Sequence, residues 1–340
     1  MSAATPLPTR PLGQTGMDIT ATGFGAWAIG GPEWSFGWGA QDDGEAVDAI
    51  RYAVDRGVNW VDTAAVYGLG HSEELVGRAL HALDDSERPY VFTKCGLVWN
   101  EQDRTERPRR VGDPASIRRE VDASLRRLGV ERIDLYQMHW PPDDGTPVED
   151  YWGAMLELRE VGKIRAAGLS NHGVDLLEAA EKVGHVESLQ PPFSAVNRSA
   201  GADVLPWCDE HRTGVIVYSP MQSGLLTGAF DEDRAAGLPE DDWRSGHPDF
   251  TPPKLHANLA VTDALDEVAG RHDAPTPAAA VAWTLAWPGV SAAIVGGRRP
   301  RQVDGWLPAA GMELTPEDMA LVADVIARTG AGQGPAMPAR

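Results

Sequence analysis

From residue 43 onward one unit repeats along the chain: a helical stretch with a single apolar face, then a short apolar run rich in β-branched residues. The spacing predicts helices over 43–56, 72–83, 114–127, 148–161, 175–183 and 204–212. Each leads in turn into a strand, over 58–62, 90–94, 133–139, 164–170, 188–190 and 215–218. Helices near 259–271 and 276–286 precede a strand at 291–295, and helices 300–309 and 316–327 follow it. One more strand, ahead of Trp27, makes eight. Short strands joined by helical crossovers pair in parallel. Eight such units over ~300 residues fit an α/β fold of the closed (β/α)8 TIM barrel type better than an open sheet. An N-terminal β-hairpin over 10–25, a Pro/Gly/Asp-rich loop insertion over 220–256, extra C-terminal helices and a Gly/Pro tail over 328–340 complete the expectation. No composition shift or low-complexity linker divides 1–340, which reads as a single barrel domain with 42% hydrophobic residues to fill its core.

The net charge of -20 argues against nucleic acid and against anionic membrane surfaces, both of which need a cationic face. Lysine is scarce, so Lys94 at a strand end stands out. Cys95 and Cys208 lie far apart and outside any CxxC spacing, which reads as two reduced thiols and no metal site. Residues 1–20 hold no apolar signal core, and no apolar run reaches ~18 residues. A soluble, cytoplasmic protein is expected.

Gly23-Phe24-Gly25-Ala26-Trp27-Ala28 has the outline of a dinucleotide fingerprint. Such a motif should open a helix at once, yet the next stretch, Gly30-Gly31-Pro32-Glu33-Trp34, is loop. The Rossmann reading is rejected, and the glycines are expected to permit a tight loop beside a ligand.

In a barrel, residues at the carboxyl ends of the strands converge on one face. Here they are Trp27, Asp62, Lys94, His139, Ser170, Asn171, Gln190, Tyr218, Ser219, Gly296, Gly297, Arg298 and Arg299, with Tyr67 on the loop after the second strand. A lone strand-end histidine is more often a hydrogen-bonded core residue, and a lone lysine usually meets solvent. Their joint occurrence with an acid and a tyrosine suits hydride transfer to a carbonyl, whose oxygen needs a proton. Tyrosine is a weak acid, with an ordinary pKa of about 10. A neighbouring ammonium favours the phenolate and is expected to lower that value. Tyr67 is therefore the expected acid, tuned by Lys94 and its counter-charge Asp62, with His139 orienting the carbonyl.

These residues sit in stretches that resemble the aldo-keto reductase superfamily: Gly57-Val-Asn-Trp-Val-Asp-Thr-Ala-Ala-Val-Tyr-Gly, Val91-Phe-Thr-Lys94, Leu125 through His139, and Gly162-Lys-Ile-Arg-Ala-Ala-Gly-Leu-Ser-Asn171. Asp242-Trp243-Arg244 and His247-Pro248-Asp249-Phe250 look like the branch of bacterial general-stress reductases. The resemblance implies a nicotinamide cofactor laid across the barrel mouth beside Trp27. Ser170, Asn171 and Gln190 would hold its carboxamide, and Tyr218 would stack on its ring. Ser219, Gln222, Ser223, Gly224 and Leu225 would cover the pyrophosphate, a small polar run that lets backbone amides approach. Gly296, Gly297, Arg298 and Arg299 would receive a 2′-phosphate, favouring NADPH (NADP+) over NADH, and Gln302 the adenosine ribose. Relatives often carry Asn where Trp306 stands, so Trp306 either stacks on adenine or the contact is lost. Trp27, Trp99 and Trp140 would line an aromatic-walled pocket for a small carbonyl compound.

Other chemistries lack their residues. There is no HxH pair for a metal-dependent hydrolase, no second strand-end carboxylate for a glycosidase, no Tyr-x-x-x-Lys and no GxSxG elbow. The resemblance leaves one rival, an NADPH-binding redox sensor or channel-type regulatory subunit with little turnover. A monomer is the default, for want of an apolar seam.

Overall fold

The computed structural model describes residues 7–338 other than 33, 35, 36, 38, 240 and 241. Glu33 of the expected loop, two residues of the insertion and the last two of the tail thus lie outside the described residues. In chain order, a hairpin of β1 (Thr9–Pro11) and β2 (Asp18–Thr20) leads to β3 (Thr22–Gly25), α1 (Asp43–Asp55), β4 (Trp60–Asp62) and α2 (His71–His81). Next come β5 (Tyr90–Cys95), a small antiparallel ribbon of β6 (Leu97–Val98) and β7 (Arg109–Arg110), α3 (Pro114–Leu128), β8 (Ile133–Met138), α4 (Val148–Glu160) and β9 (Ile164–Ser170). The rest is α5 (Val174–Glu181), β10 (Ser188–Gln190), α6 (Val204–His211), β11 (Gly214–Val217), α7 (Glu232–Ala236), α8 (Lys254–Arg271), α9 (Thr276–Leu285), β12 (Val290–Gly296), α10 (Pro300–Trp306) and α11 (Pro316–Thr329).

Eight strands close into a parallel barrel in the order β3, β4, β5, β8, β9, β10, β11, β12 and back to β3. Local chemistry fixes the helix ends. Asp42 and Asp113 cap α1 and α3 by accepting from Glu45 N and Ser116 N, and Thr315 with Asp318 forms a capping box on α11. The expected hairpin is shorter than 10–25, because residues 22–25 already belong to the barrel wall. Its Leu12, Met17 and Ile19 are buried under the barrel and pack with Trp60, Phe92, Leu135, Ala166, Ile216 and Ala292. That cluster is the floor of the interior.

The first glycine of the false fingerprint has a different role from the one expected. Gly23 lies in β3 against Trp60, whose ring Cε2 would sit 2.1 Å from any added Cβ. The Trp60 indole, donating to Thr20 O at 2.8 Å, fills that space. The glycine makes room for a core ring, not for a ligand. The insertion, too, is more ordered than a bare loop. It carries α7, and α8 starts at Lys254, earlier than expected. Leu225, Phe230, Phe250 and Leu255 form an apolar cluster of their own beneath it.

Gly23→Ala should destabilise the barrel by about 3 kcal/mol or more, since neither backbone nor the buried indole can yield. Thermal melting beside the parent protein measures it, and an unchanged midpoint would refute the packing account.

Candidate active site

Side chains inside the barrel alternate with period two, and their polarity changes at one level. Trp60 is followed on its face by Asp62, Phe92 by Lys94, and Leu135 by Gln137 and then His139. Below that level the interior is apolar; above it the structure gathers a charged site.

Lys94 Nζ donates to Asp62 Oδ1 at 2.6 Å and to Thr63 O at 2.8 Å, and lies 3.4 Å from Tyr67 Oη. Both charged groups are almost wholly buried. The second carboxylate oxygen of Asp62 accepts from Gln190 Nε2 at 2.9 Å and, more loosely, from Gln137 Nε2 at 3.5 Å. Gln190 Nε2 also lies 3.2 Å from Gln137 Oε1, so the two amides hold each other in place. His139 meets the edge of the Tyr67 ring, with centroids 5.6 Å apart. Tyr67 begins a tight turn in which Leu69 adopts φ 55. Gly68 packs so closely on Gly30 that an added Cβ would lie 2.0 Å from Gly30 O, which pins the tyrosine loop to the loop after β3. All four residues of the expected tetrad are brought together.

Burial pushes the Asp62 carboxyl up and the Lys94 ammonium down; each is held charged chiefly by the other. Burial also raises the Tyr67 phenol well above its usual value, and the Asp62 carboxylate adds to the effect. The expected lowering by Lys94 is thus corrected. Desolvation outweighs the cation, and Tyr67 stands as a neutral acid. Burial, helped by Lys94, keeps His139 well below the ordinary histidine range, hence a neutral imidazole.

Behind the lysine, buried Glu73 accepts from Thr93 Oγ1 and Arg127 Nε, both at 2.6 Å. Ser72, expected to open α2, is buried and donates to Ala26 O instead of capping.

The residues expected at a carboxamide are interlocked. Ser170 Oγ donates to Gln190 O at 2.9 Å. Asn171, at φ 62, donates to His139 O and accepts from Tyr218 Oη, both at 2.9 Å. Tyr218 is half-buried beside them. In the following loop Ser219, Gln222, Ser223 and Gly224 all have positive φ (58, 45, 52 and 92). Gln222 is held between Ser194 and Asp249, and Arg244, paired to Asp242, donates to Ser223 O. Leu225 is fully buried in the insertion's apolar cluster, which takes its side chain away from any ligand.

At the end of β12, Gly296 is exposed, Arg298 Nε donates to Gln41 Oε1 at 2.7 Å, and Arg299 pairs with Glu45 at 3.1 Å while 70% exposed. Gly297 is buried against Phe24. Gln302 Oε1 accepts from the Arg298 and Arg299 amides. Trp306 faces the core with 1% exposure, so it offers no ring to an adenine. Trp27 and Trp99 pack with Tyr67, Trp34 and Leu97 in a small cluster at the mouth, and the Trp140 ring carries the Arg110 guanidinium 4.6 Å from its centroid.

Two residues escaped the sequence reading. Gln137 could have been found, since it precedes His139 by two on the same strand face. His172 could not. Its Nδ1 lies 2.8 Å from Ser170 O and must donate there, so Nε2 accepts from Tyr151 Oη at 2.9 Å.

A closed parallel barrel with Asp, Tyr, Lys and His at its carboxyl mouth defines a class of barrel oxidoreductase. The aldo/keto reductase family model matches residues 21–327, and the chain belongs to that family. It is 33% identical to Aldo-keto reductase YhdN of Bacillus subtilis, over 94% of this chain and 93% of that protein. It is 34% identical to the NADH-specific methylglyoxal reductase of Escherichia coli, over 93% and 97%. Among solved structures, glycerol dehydrogenase AKR11B4 of Gluconobacter oxydans superposes with a TM-score of 0.87 at 38% identity, covering 97% of each chain. The holo form of aldo-keto reductase AKR11C1 of Bacillus halodurans gives 0.75 at 25% identity, covering 94% of this chain and 96% of that one. No described helix is long and apolar enough to cross a membrane.

Burial lowers His172 to about 4. Its folded value lies below the unfolded ~6.5, so its contribution is complete above that pH and is lost as pH falls toward about 4, roughly 3 kcal/mol in all. His172→Gln should therefore lose less stability than the parent between pH ~7 and ~4.5 in paired denaturant melts. Equal losses would exclude His172 as the titrating group.

Proposed function

We propose that the protein is an NADPH-dependent reductase of aldehydes and ketones, with Tyr67 as proton donor. The observation that carries this is the buried Lys94–Asp62 pair set 3.4 Å from an otherwise neutral phenol. The bound nicotinamide would supply hydride to the carbonyl carbon. Tyr67 would give its proton to the developing alkoxide, and Lys94 would stabilise the phenolate left behind at the moment charge appears. Asp62, fixed by Gln190 and Gln137, keeps the ammonium charged and aimed. Neutral His139 donates to the carbonyl oxygen and orients it. Trp27, Trp99 and Trp140 wall the site against water.

The chain fits such a cofactor. Left-handed backbone at Ser219, Gln222 and Ser223 is strained for residues with a Cβ, at about 1 kcal/mol or more each. Three such residues beside Gly224 form the kind of turn whose amides line an anion cradle. Ser170, Asn171, Gln190 and Tyr218 would hold the carboxamide end. Gly296, Gly297, Arg298, Arg299 and Gln302 would hold the adenosine end. Although the Escherichia coli relative is NADH-specific by name, two adjacent guanidiniums in a chain of net charge -20 favour the 2′-phosphate. As one barrel domain, the protein would act as a cytoplasmic monomer; among the described residues its exposed large apolar side chains (Val161, Val183, Trp243 and Met337) are few.

Tyr67→Phe should bind NADPH normally yet lose about a thousandfold or more in kcat, measured with 4-nitrobenzaldehyde. Full activity would remove Tyr67 as the acid, and binding without turnover in the parent would favour the sensor. A phenol held high also predicts reduction rates flat from pH ~6 to ~9 and alcohol oxidation that climbs across that range. A plateau in oxidation near neutrality would contradict it. Arg298→Ala should raise the Kd for NADPH at least about tenfold more than that for NADH; equal weakening would sink the 2′-phosphate assignment.

A further inference from the structure

The ribbon of β6 and β7 forms one wall of the mouth, and its register decides what it presents there. Leu97 pairs directly with Arg110 across the ribbon. Directly opposed residues of an antiparallel pair project from the same face. Leu97 packs against the same small cluster at the mouth as Tyr67, so Arg110 stands on the face turned toward that cluster. Its guanidinium lies over the ring of Trp140, the residue after His139, and its side chain is half-buried. A second guanidinium reaches the same wall: Arg104 Nη2 donates to the carbonyl of Gly68, the residue after Tyr67, at 3.2 Å.

Neither arginine has a carboxylate partner among the described residues, in a chain with 50 acidic residues against 30 basic ones. Of the acids on this wall, exposed Asp143 meets Arg110 through its backbone amide, which donates to Arg110 O at 3.4 Å, and two others are held by neighbouring donors. Asp103 accepts from Thr105, and Asp144 from the amides of Gly112 and Thr146. Arg127, the other guanidinium near a pocket tryptophan, differs, because Glu73 neutralises it. A stacked guanidinium keeps its in-plane N–H donors free for a bidentate anion.

We infer that the preferred substrate carries an anionic group, a carboxylate or a phosphate monoester, near its carbonyl, and that Arg110, aided by Arg104, binds that group. This rests on the reductase function proposed above and names its substrate class.

The test compares aldehydes with and without the anionic group: 4-carboxybenzaldehyde with its neutral ester methyl 4-formylbenzoate, and glyceraldehyde 3-phosphate with glyceraldehyde. The anion of at least one pair should have a kcat/KM at least about tenfold higher, mainly through KM, and should lose that advantage at high ionic strength. Whichever pair shows it distinguishes carboxylate from phosphate. Arg110→Met, which keeps the apolar stem on Trp140, should cut the charged-to-neutral ratio at least about tenfold, and Arg110→Lys should restore part of it. Ratios near one in both pairs, or a ratio unmoved in Arg110→Met, would overturn the inference while leaving the reductase intact. No turnover of the neutral aldehydes either, with NADPH or NADH, would instead overturn the reductase function and this inference with it.

Discussion

The ion pair between Lys94 and Asp62 is the constraint around which the rest of the barrel is arranged. Two opposite charges sit almost fully out of water at 2.6 Å, and desolvation of each costs several kcal/mol. Such a pair survives only if its remaining donors and acceptors are satisfied. Here they are: Thr63 O takes a second Lys94 proton, and Gln190 and Gln137 take the second oxygen of Asp62. Removing either charge would strand the other, at roughly 3–5 kcal/mol. The result is a cation held beside a phenol in a dry site.

That placement depends on the pleat. Residues 60, 92 and 135 fill the floor with Trp, Phe and Leu, and two positions on the same strands carry Asp, Lys and Gln. A one-residue slip in any of these strands would turn both the charge and the ring out of the barrel interior and into the helix layer. The hairpin below, with Leu12, Met17 and Ile19, seals the apolar layer. The large Trp60 indole, admitted by Gly23, holds β3 and β4 in register. Core packing and the geometry of the charged site are thus set by the same strands.

Much of this was legible in the chain. Strands 164–170 and 188–190 match to the residue, because apolar runs there end sharply at polar strand-end residues. The tetrad was legible because strand ends in a barrel must converge. What escaped depends on contacts between segments. The two-residue strands β6 and β7 have no periodicity to read. Pro252 and Pro253 suggested loop, although proline is compatible with a helix start and α8 begins immediately afterwards. Trp306 follows Val303 by three positions and turns with it into the core, a stripe that outweighed analogy with a ligand contact. The direction of the Tyr67 shift was missed for the same reason. A neighbouring cation is visible in sequence, but the burial that outweighs it is not.

The strain in the loop after β11 needs a support of its own, because left-handed Ser219, Gln222 and Ser223 would relax in an unbraced loop. Two braces reach it. From the insertion, Arg244 holds Ser223 O and Asp249 holds Gln222. From below, Ser194 holds the other end of the Gln222 amide, and Ser194 belongs to the loop after β10 that Arg198 fixes. Arg198 is 2% exposed and has no carboxylate partner among the described residues; it donates to the carbonyls of Ala195, Ala331, Gly334 and Pro335. Burial pulls it down to about 10, still charged at neutral pH. Four carbonyl dipoles therefore compensate a buried cation, and in doing so they strap the C-terminal tail across the loop. The tail around residues 331–335 and the strained loop at the mouth are thus joined through the loop after β10.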